Sequence, residues 1–171
     1  MGGRMPGRHF EELSGKAITL VERLLGEVGP LDAAGFIRIV YEAALQRLRL
    51  SRSFLVSAEA MALATDVAAR DVLSRSYYAI YHAARAVVFA VRKSDVDDHK
   101  VLPSHLPKDL PDHDFWEKRL TFWRLTRNAA DYDPWAGEEA SLEALARQAR
   151  AEADEFLGVC QGYLHSRGIG V

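Results

Sequence analysis

Five residues between positions 75 and 92 have side chains and spacing suited to binding a polyanion. Steps of three, four, three and seven positions place them on one face of an α-helix. They are Arg75, Tyr78, His82, Arg85 and Arg92. Guanidinium groups bind phosphates, and a tyrosine ring stacks on nucleobases. We interpret this face as a candidate RNA-binding groove; the alternative is a solvated or dimer-facing surface.

Two of these residues, Arg75 and His82, also have the chemistry for cleaving RNA without a metal ion. An imidazole, with an ordinary pKa of about 6.5, can accept the proton of a 2′-hydroxyl. A guanidinium can stabilise the negative charge of the transition state. The pair therefore predicts a catalytic function, and the alternative is that His82 is a polar interface residue.

A second candidate pair is Arg127 and Asp131, four positions apart and so spaced for an ion pair within one helix. The pair could be structural and, with Tyr132, fix the end of that helix against its neighbours. It could instead belong to a catalytic site shared with Arg75 and His82, where Tyr132 serves as a hydrogen-bond donor or a modification target. The spacing is compatible with both interpretations.

Residues 94–114 hold three histidines and six aspartates among three prolines. The histidines are six and eight positions apart, which matches no closed zinc site, and the segment contains no cysteine. We therefore predict neither a metal site nor another cofactor. A connection of this length without regular structure is expected to be functional or mobile.

Three ordered motifs resemble a bacterial and archaeal branch of the HEPN superfamily (higher eukaryotes and prokaryotes nucleotide-binding). Residues 74–86, SRSYYAIYHAARA, resemble the pattern S-R-x-Y-Y-A-x-[FY]-x-A-A-[KR]-A. His99-Lys100 lies where the family often has Ser/Thr-His-Lys. Residues 127–132, RNAADY, resemble R-x-x-A-D-Y. The resemblance extends over about residues 32–164.

The resemblance implies an all-α four-helix bundle that usually forms a homodimer. Some members are metal-independent endoribonucleases, often toxins paired with a nucleotidyltransferase antitoxin, and others are non-catalytic modules that bind a partner or a nucleotide. The nuclease members use an R-x4-6-H motif, but here no histidine follows Arg127 until His165. The expectation is therefore an RNA-directed protein, either a nuclease or a weakened relative, with His99 among its ligand-binding residues. The alternative is a non-catalytic interaction module.

Helical periodicity accounts for most of the chain outside the N-terminal tail and residues 94–114. Residues 1–30 are predicted to hold a Gly-rich tail and an amphipathic helix at 10–26, followed by the HEPN-like domain at 31–171. No glycine or proline occurs between Gly35 and Pro103. A single helix of that length is abnormal in a globular domain, so we predict helices at 32–64 and 67–93, capped at Asp66 and packed as an antiparallel hairpin.

Two further helices complete the predicted four-helix core. Asp114 and Glu117 have the spacing of a capping box for a helix that ends near Ala130. A last helix is expected to follow Gly137 and to end at Gly168. No β-strand pattern is found.

Composition limits the classes of function. The 171 residues are 49% hydrophobic and carry a net charge of −2, which argues against a strong non-specific nucleic-acid binder but allows a local basic site. No apolar run approaches the length of a membrane helix, and the single cysteine cannot form an internal disulfide, so we expect a cytoplasmic protein with no membrane partner. Four aromatic residues are expected at the interface of the homodimer: Tyr81, Phe89, Trp116 and Phe122.

Overall fold

The structure, a computed structural model, describes residues 33–63, 65–136 and 141–170. These residues form four packed α-helices and no β-strand, which confirms the all-α class. The helices are α1 (Ala33–Glu59), α2 (Asp66–Arg92), α3 (His113–Tyr132) and α4 (Leu142–Ser166). The predicted tail and helix within residues 1–30 lie outside the described residues.

Helix α2 is the central element of the bundle and packs against the other three helices. Several of its alanines, including Ala79, Ala83 and Ala86, are fully buried and allow the neighbouring helices to approach closely. Helices α1 and α2 run antiparallel, as predicted. Ser51 Oγ near the middle of α1 donates to Ala79 O at 2.7 Å, while Phe54 further along stacks on the earlier residue Tyr78.

Two of the predicted helix starts are wrong in detail. Thr65, not Asp66, caps α2, because its hydroxyl accepts the Ala68 N–H. Helix α3 begins at His113 after Asp112 in the left-handed region, with no side-chain hydrogen bond at its cap. The expected capping box at Asp114 is therefore absent.

The connection between α2 and α3 is ordered rather than structureless. It contains a 3-10 helix, Leu102–His105, and buries three leucines against the bundle. They are Leu102, Leu106 and Leu110. This burial fixes the preceding residues 95–100 against α2, which matters for the site.

Most of the four aromatic residues that were predicted at a dimer interface are not on the surface. Tyr81, Phe89 and Trp116 are buried within the single chain, so three of the four residues expected at the interface are unavailable to a partner. Phe122 alone of the four is exposed. Cys160 is buried, as expected of a small apolar residue, and burial raises the pKa of its thiol.

Within the described residues, no helix combines the length and the apolar character that crossing a lipid bilayer requires.

Candidate functional site

A cleft of about 420 Å³ opens where the connection meets helices α2 and α3. Its lining joins parts of the chain that are distant in sequence: Tyr77, Asp98, His99, Lys100, Arg124, Arg127 and Asn128. Three of these side chains are cationic and one is a carboxylate. The lining therefore favours an anionic ligand.

The turn that carries His99 and Lys100 is built by Asp98. One oxygen of its carboxylate accepts the backbone N–H of Lys100 at 2.6 Å and that of Val101 at 3.3 Å. Aspartate commonly forms this local turn with the backbone two residues ahead. The turn places His99 and Lys100 side by side at the mouth of the cleft.

His99 is held by two tyrosines of α2. Its Nδ1 lies 2.6 Å from the Tyr77 hydroxyl oxygen, and its ring stacks on Tyr81 with the centroids 4.0 Å apart. Burial, followed by the charge of Arg127, lowers the pKa of His99. Burial also raises the pKa of the Tyr77 phenol. At neutral pH the cleft therefore presents a neutral imidazole beside a neutral phenol.

Two arginines of α3 form the cationic wall. Arg127 pairs with Asp131 at 2.7 Å, as its spacing predicted, and its guanidinium also reaches the Tyr78 hydroxyl at 3.4 Å. Arg124, one turn earlier, makes no hydrogen bond or ion pair with any described residue. The Nε atoms of both arginines are buried without a hydrogen-bond partner. Unsatisfied buried donors of this kind are costly unless a ligand or water completes them.

Tyr78 and His82 lie beside the cleft rather than in its wall. Phe54 of α1 stacks on both rings, at 5.3 Å from Tyr78 and 5.4 Å from His82. Burial lowers the pKa of His82 to about 4, aided by the charges of Arg85 and Arg47. His82 does not line the cleft, so the geometry favours His99 over His82 as a base.

The prediction that Arg85 belongs to an exposed binding face is wrong. Arg85 is buried, and its Nε donates to Asp95 at 3.1 Å. The Asp95 carboxylate also pairs with Arg47 of α1 at 2.6 Å, and the Asp95 side chain is 0% exposed. A buried carboxylate shared by two guanidinium groups is a structural arrangement, because each charge requires the others. It ties the connection to α1 and α2.

The remaining predicted cations are exposed but separate from the cleft. Arg75 covers the ring of Phe54, with its guanidinium carbon 5.7 Å from the centroid. Arg92 ends α2, fifteen residues beyond Tyr77 and thus about 22 Å along the helix axis. The five-residue face predicted from spacing is therefore divided, and only Tyr78 contacts a wall residue of the cleft.

Among the described residues, one group of three side chains brings its potential metal ligands within 4.8 Å of one another: His113, Asp114 and Glu117. However, the Lys108 ammonium lies 2.7 Å from His113 Nε2. The group also lies in the first turn of α3, where the helix dipole disfavours a cation. His99, which lies in the connection between α2 and α3, faces the cleft and does not belong to this group.

Of the seven lining residues, sequence reasoning proposed only His99 and Arg127 as site residues, and the most informative of the five that it missed are Tyr77 and Arg124. Tyr77 occupies a core-facing position of α2, where its ring is buried, but its hydroxyl reaches His99. Arg124 was not considered. Its position three residues before Arg127 puts both on one face of α3, and this spacing was visible in the sequence.

Comparison with known proteins found no family model, no curated protein sequence and no solved structure that matches this chain.

Proposed function

We propose that this chain is an RNA-directed protein of the HEPN type, and that the cleft between the connection and α3 binds the phosphates of RNA. The observation that carries the proposal is the wall formed by Lys100, Arg124 and Arg127, in which Arg124 has no described anionic partner. The resemblance of residues 74–86 and 127–132 to the HEPN motifs supports RNA as the source of those phosphates.

Binding is tested with a labelled oligouridylate in solutions of increasing salt. Three cations on a single strand give a slope of log affinity on log salt of about −2. Arg124→Gln should weaken binding and reduce the slope by about 0.7, because one phosphate contact is lost. Arg147→Gln is the matched control, since Arg147 on α4 pairs with the exposed Glu143 and with no other carboxylate among the described residues. Equal binding by the two variants would refute the proposal.

The cleft also holds the groups that metal-independent cleavage needs. If Nδ1–H of His99 donates to the Tyr77 oxygen, the lone pair of Nε2 is free to take the proton of a 2′-hydroxyl. The O2′–P bond then forms as the P–O5′ bond breaks, and water or the Lys100 ammonium supplies a proton to the leaving O5′. Arg124 and Arg127 stabilise the charge that develops on the phosphate oxygens. The products would be a 2′,3′-cyclic phosphate and a 5′-hydroxyl.

Cleavage is tested with total RNA in the presence of EDTA. The wild type should yield discrete fragments ending in 2′,3′-cyclic phosphate. His99→Asn should abolish them, because asparagine can keep the hydrogen bond to Tyr77 but has no equivalent of Nε2. His82→Gln should retain cleavage. Loss with His82→Gln and retention with His99→Asn would reverse the assignment of the base.

The second candidate function is a non-catalytic module that binds a second copy or a nucleotidyltransferase partner. The observation in its favour is a row of exposed apolar side chains on α3, at positions that share one helix face: Phe115, Phe122 and Leu125. Light scattering would detect a homodimer at twice the 19.1 kDa chain mass. RNA binding without cleavage, together with a dimer that Phe122→Asp dissociates, would favour this function over the nuclease.

A further inference from the structure

Two aromatic rings project into solvent immediately after the arginine wall of the cleft. Tyr132, the last residue of α3, is 78% exposed, and Trp135 in the following turn is 71% exposed. The other two tryptophans of the chain, Trp116 and Trp123, are buried in the bundle. Trp135 is therefore not used by the described core.

The turn that carries Trp135 is hydrogen-bonded to one side chain of α2. The guanidinium of Arg70 donates to the carbonyl oxygen of Ala130 in the last turn of α3 and to those of Asp133, Pro134 and Ala136 beyond it. The Asp133 carboxylate accepts the backbone N–H of Trp135 at 2.9 Å. A ring on a fixed support loses little conformational entropy when a ligand stacks on it.

One of the two rings, that of Tyr132, borders the cleft through Arg127. Its guanidinium carbon, in the wall of the cleft, lies 5.9 Å from the centroid of the Tyr132 ring. On the far side, a recess of about 320 Å³ adjoins Trp135, with Asp66 and Arg70 in its lining. A strand whose phosphate lies at Arg127 would therefore pass the Tyr132 ring, and Trp135 follows three residues later in the chain.

We propose that Tyr132 and Trp135 form a platform on which bases of single-stranded RNA stack, so that the ligand of the cleft is an unpaired strand rather than a duplex or a free polyanion. The inference rests on the proposed function, because the cleft supplies the phosphate contact from which the platform is reached. Stacking requires unpaired bases, since the faces of paired bases are covered within a helix. Proteins that bind single-stranded nucleic acids usually combine a cationic groove with aromatic rings.

The test compares two ligands of similar charge, an oligouridylate of eight nucleotides and a linear polyphosphate. The variants are Tyr132→Leu and Trp135→Leu, with Phe115→Leu as control. Phe115 is also exposed on α3, but it lies seventeen residues from Tyr132, about 26 Å along the helix. Tryptophan emission of the wild type provides a second reading, because only Trp135 among the three tryptophans is exposed.

We expect each platform variant to weaken oligouridylate binding by roughly 5- to 150-fold, while polyphosphate binding stays unchanged. Oligouridylate, but not polyphosphate, should quench the exposed tryptophan. The platform is refuted if both platform variants bind oligouridylate as Phe115→Leu does while Arg124→Gln still weakens both ligands; the phosphate cleft would survive that result. If Arg124→Gln weakens neither ligand, the proposed function itself fails.

Discussion

Helix α2 contributes to two clusters of charged and aromatic residues that differ in one respect. In the first, Arg85 and Arg47 share the fully buried Asp95, so their charges are neutralised within the fold. In the second, Tyr77 and His99 face Arg124, which has no described carboxylate partner. The first cluster holds the connection in place, and the second remains available to a ligand. The two clusters therefore differ in whether a buried carboxylate neutralises the arginines, and this difference makes the first cluster structural and leaves the second available to bind a ligand.

The largest effect is expected at the buried carboxylate. Asp95→Ala leaves two guanidinium groups without their shared partner, and we expect the free energy of unfolding to fall by about 3–5 kcal/mol. Urea denaturation measures the change. Asp154→Ala is the control, because its carboxylate lies 3.6 Å from Arg52 and both side chains are exposed, so the loss should stay under about 1 kcal/mol. Similar losses in both variants would remove the distinction between the two clusters.

The next effect concerns His82, which lies between the clusters. Its pKa is lowered from 6.5 to about 4 in the folded chain. The unfolded chain therefore binds a proton at higher pH than the folded chain does. Stability should fall as the pH drops from about 6.5 to about 4, by roughly 3 kcal/mol in total.

His82→Phe should make this dependence shallower, because the His82 imidazole is removed; the part that comes from His99, whose pKa is also lowered, should remain. Stability measured between pH 4 and 7 checks the prediction. If the slope of stability against pH were identical in the wild type and in His82→Phe, the assignment of this pH dependence to His82 would be contradicted.

A smaller loss of stability is expected at Arg127. The ion pair with Asp131 is partly exposed, at 19% and 22% for the two side chains. Arg127→Ala should therefore cost about 1–2 kcal/mol, between the values for exposed and buried pairs. Oligouridylate binding should weaken by about tenfold or more, since an ionic contact to phosphate is lost. A large loss of stability with unchanged binding per folded molecule would make Arg127 a structural residue.

The smallest effect is expected at Arg92, which sequence spacing assigned to the binding face. Arg92 is exposed at the end of α2, far from the cleft. Arg92→Gln should change the free energy of unfolding by less than about 0.5 kcal/mol and leave oligouridylate affinity at the wild-type value. A tenfold loss of affinity would extend the groove along α2 and restore the first interpretation of this face.

The fold class was predictable because it depends on local patterns. Helical periodicity and the absence of glycine and proline over residues 36–102 predicted the two long antiparallel helices, and the structure confirms them. Helix caps were less predictable. Thr65 and Asp66 are both good capping residues, and the choice between them depends on backbone geometry at one position.

The sequence by itself determined that this chain forms an α-helical bundle, and that Arg127 and Asp131 pair, because both follow from spacing within one helix. Only the tertiary structure decided which residues of α2 are available to a ligand. Residues on one helical face can be exposed or covered according to what packs above them, and here the connection covers Arg85 with Asp95 and brings His99 to Tyr77. Such contacts join residues 10 and 22 positions apart through a turn, and helical periodicity carries no information about them.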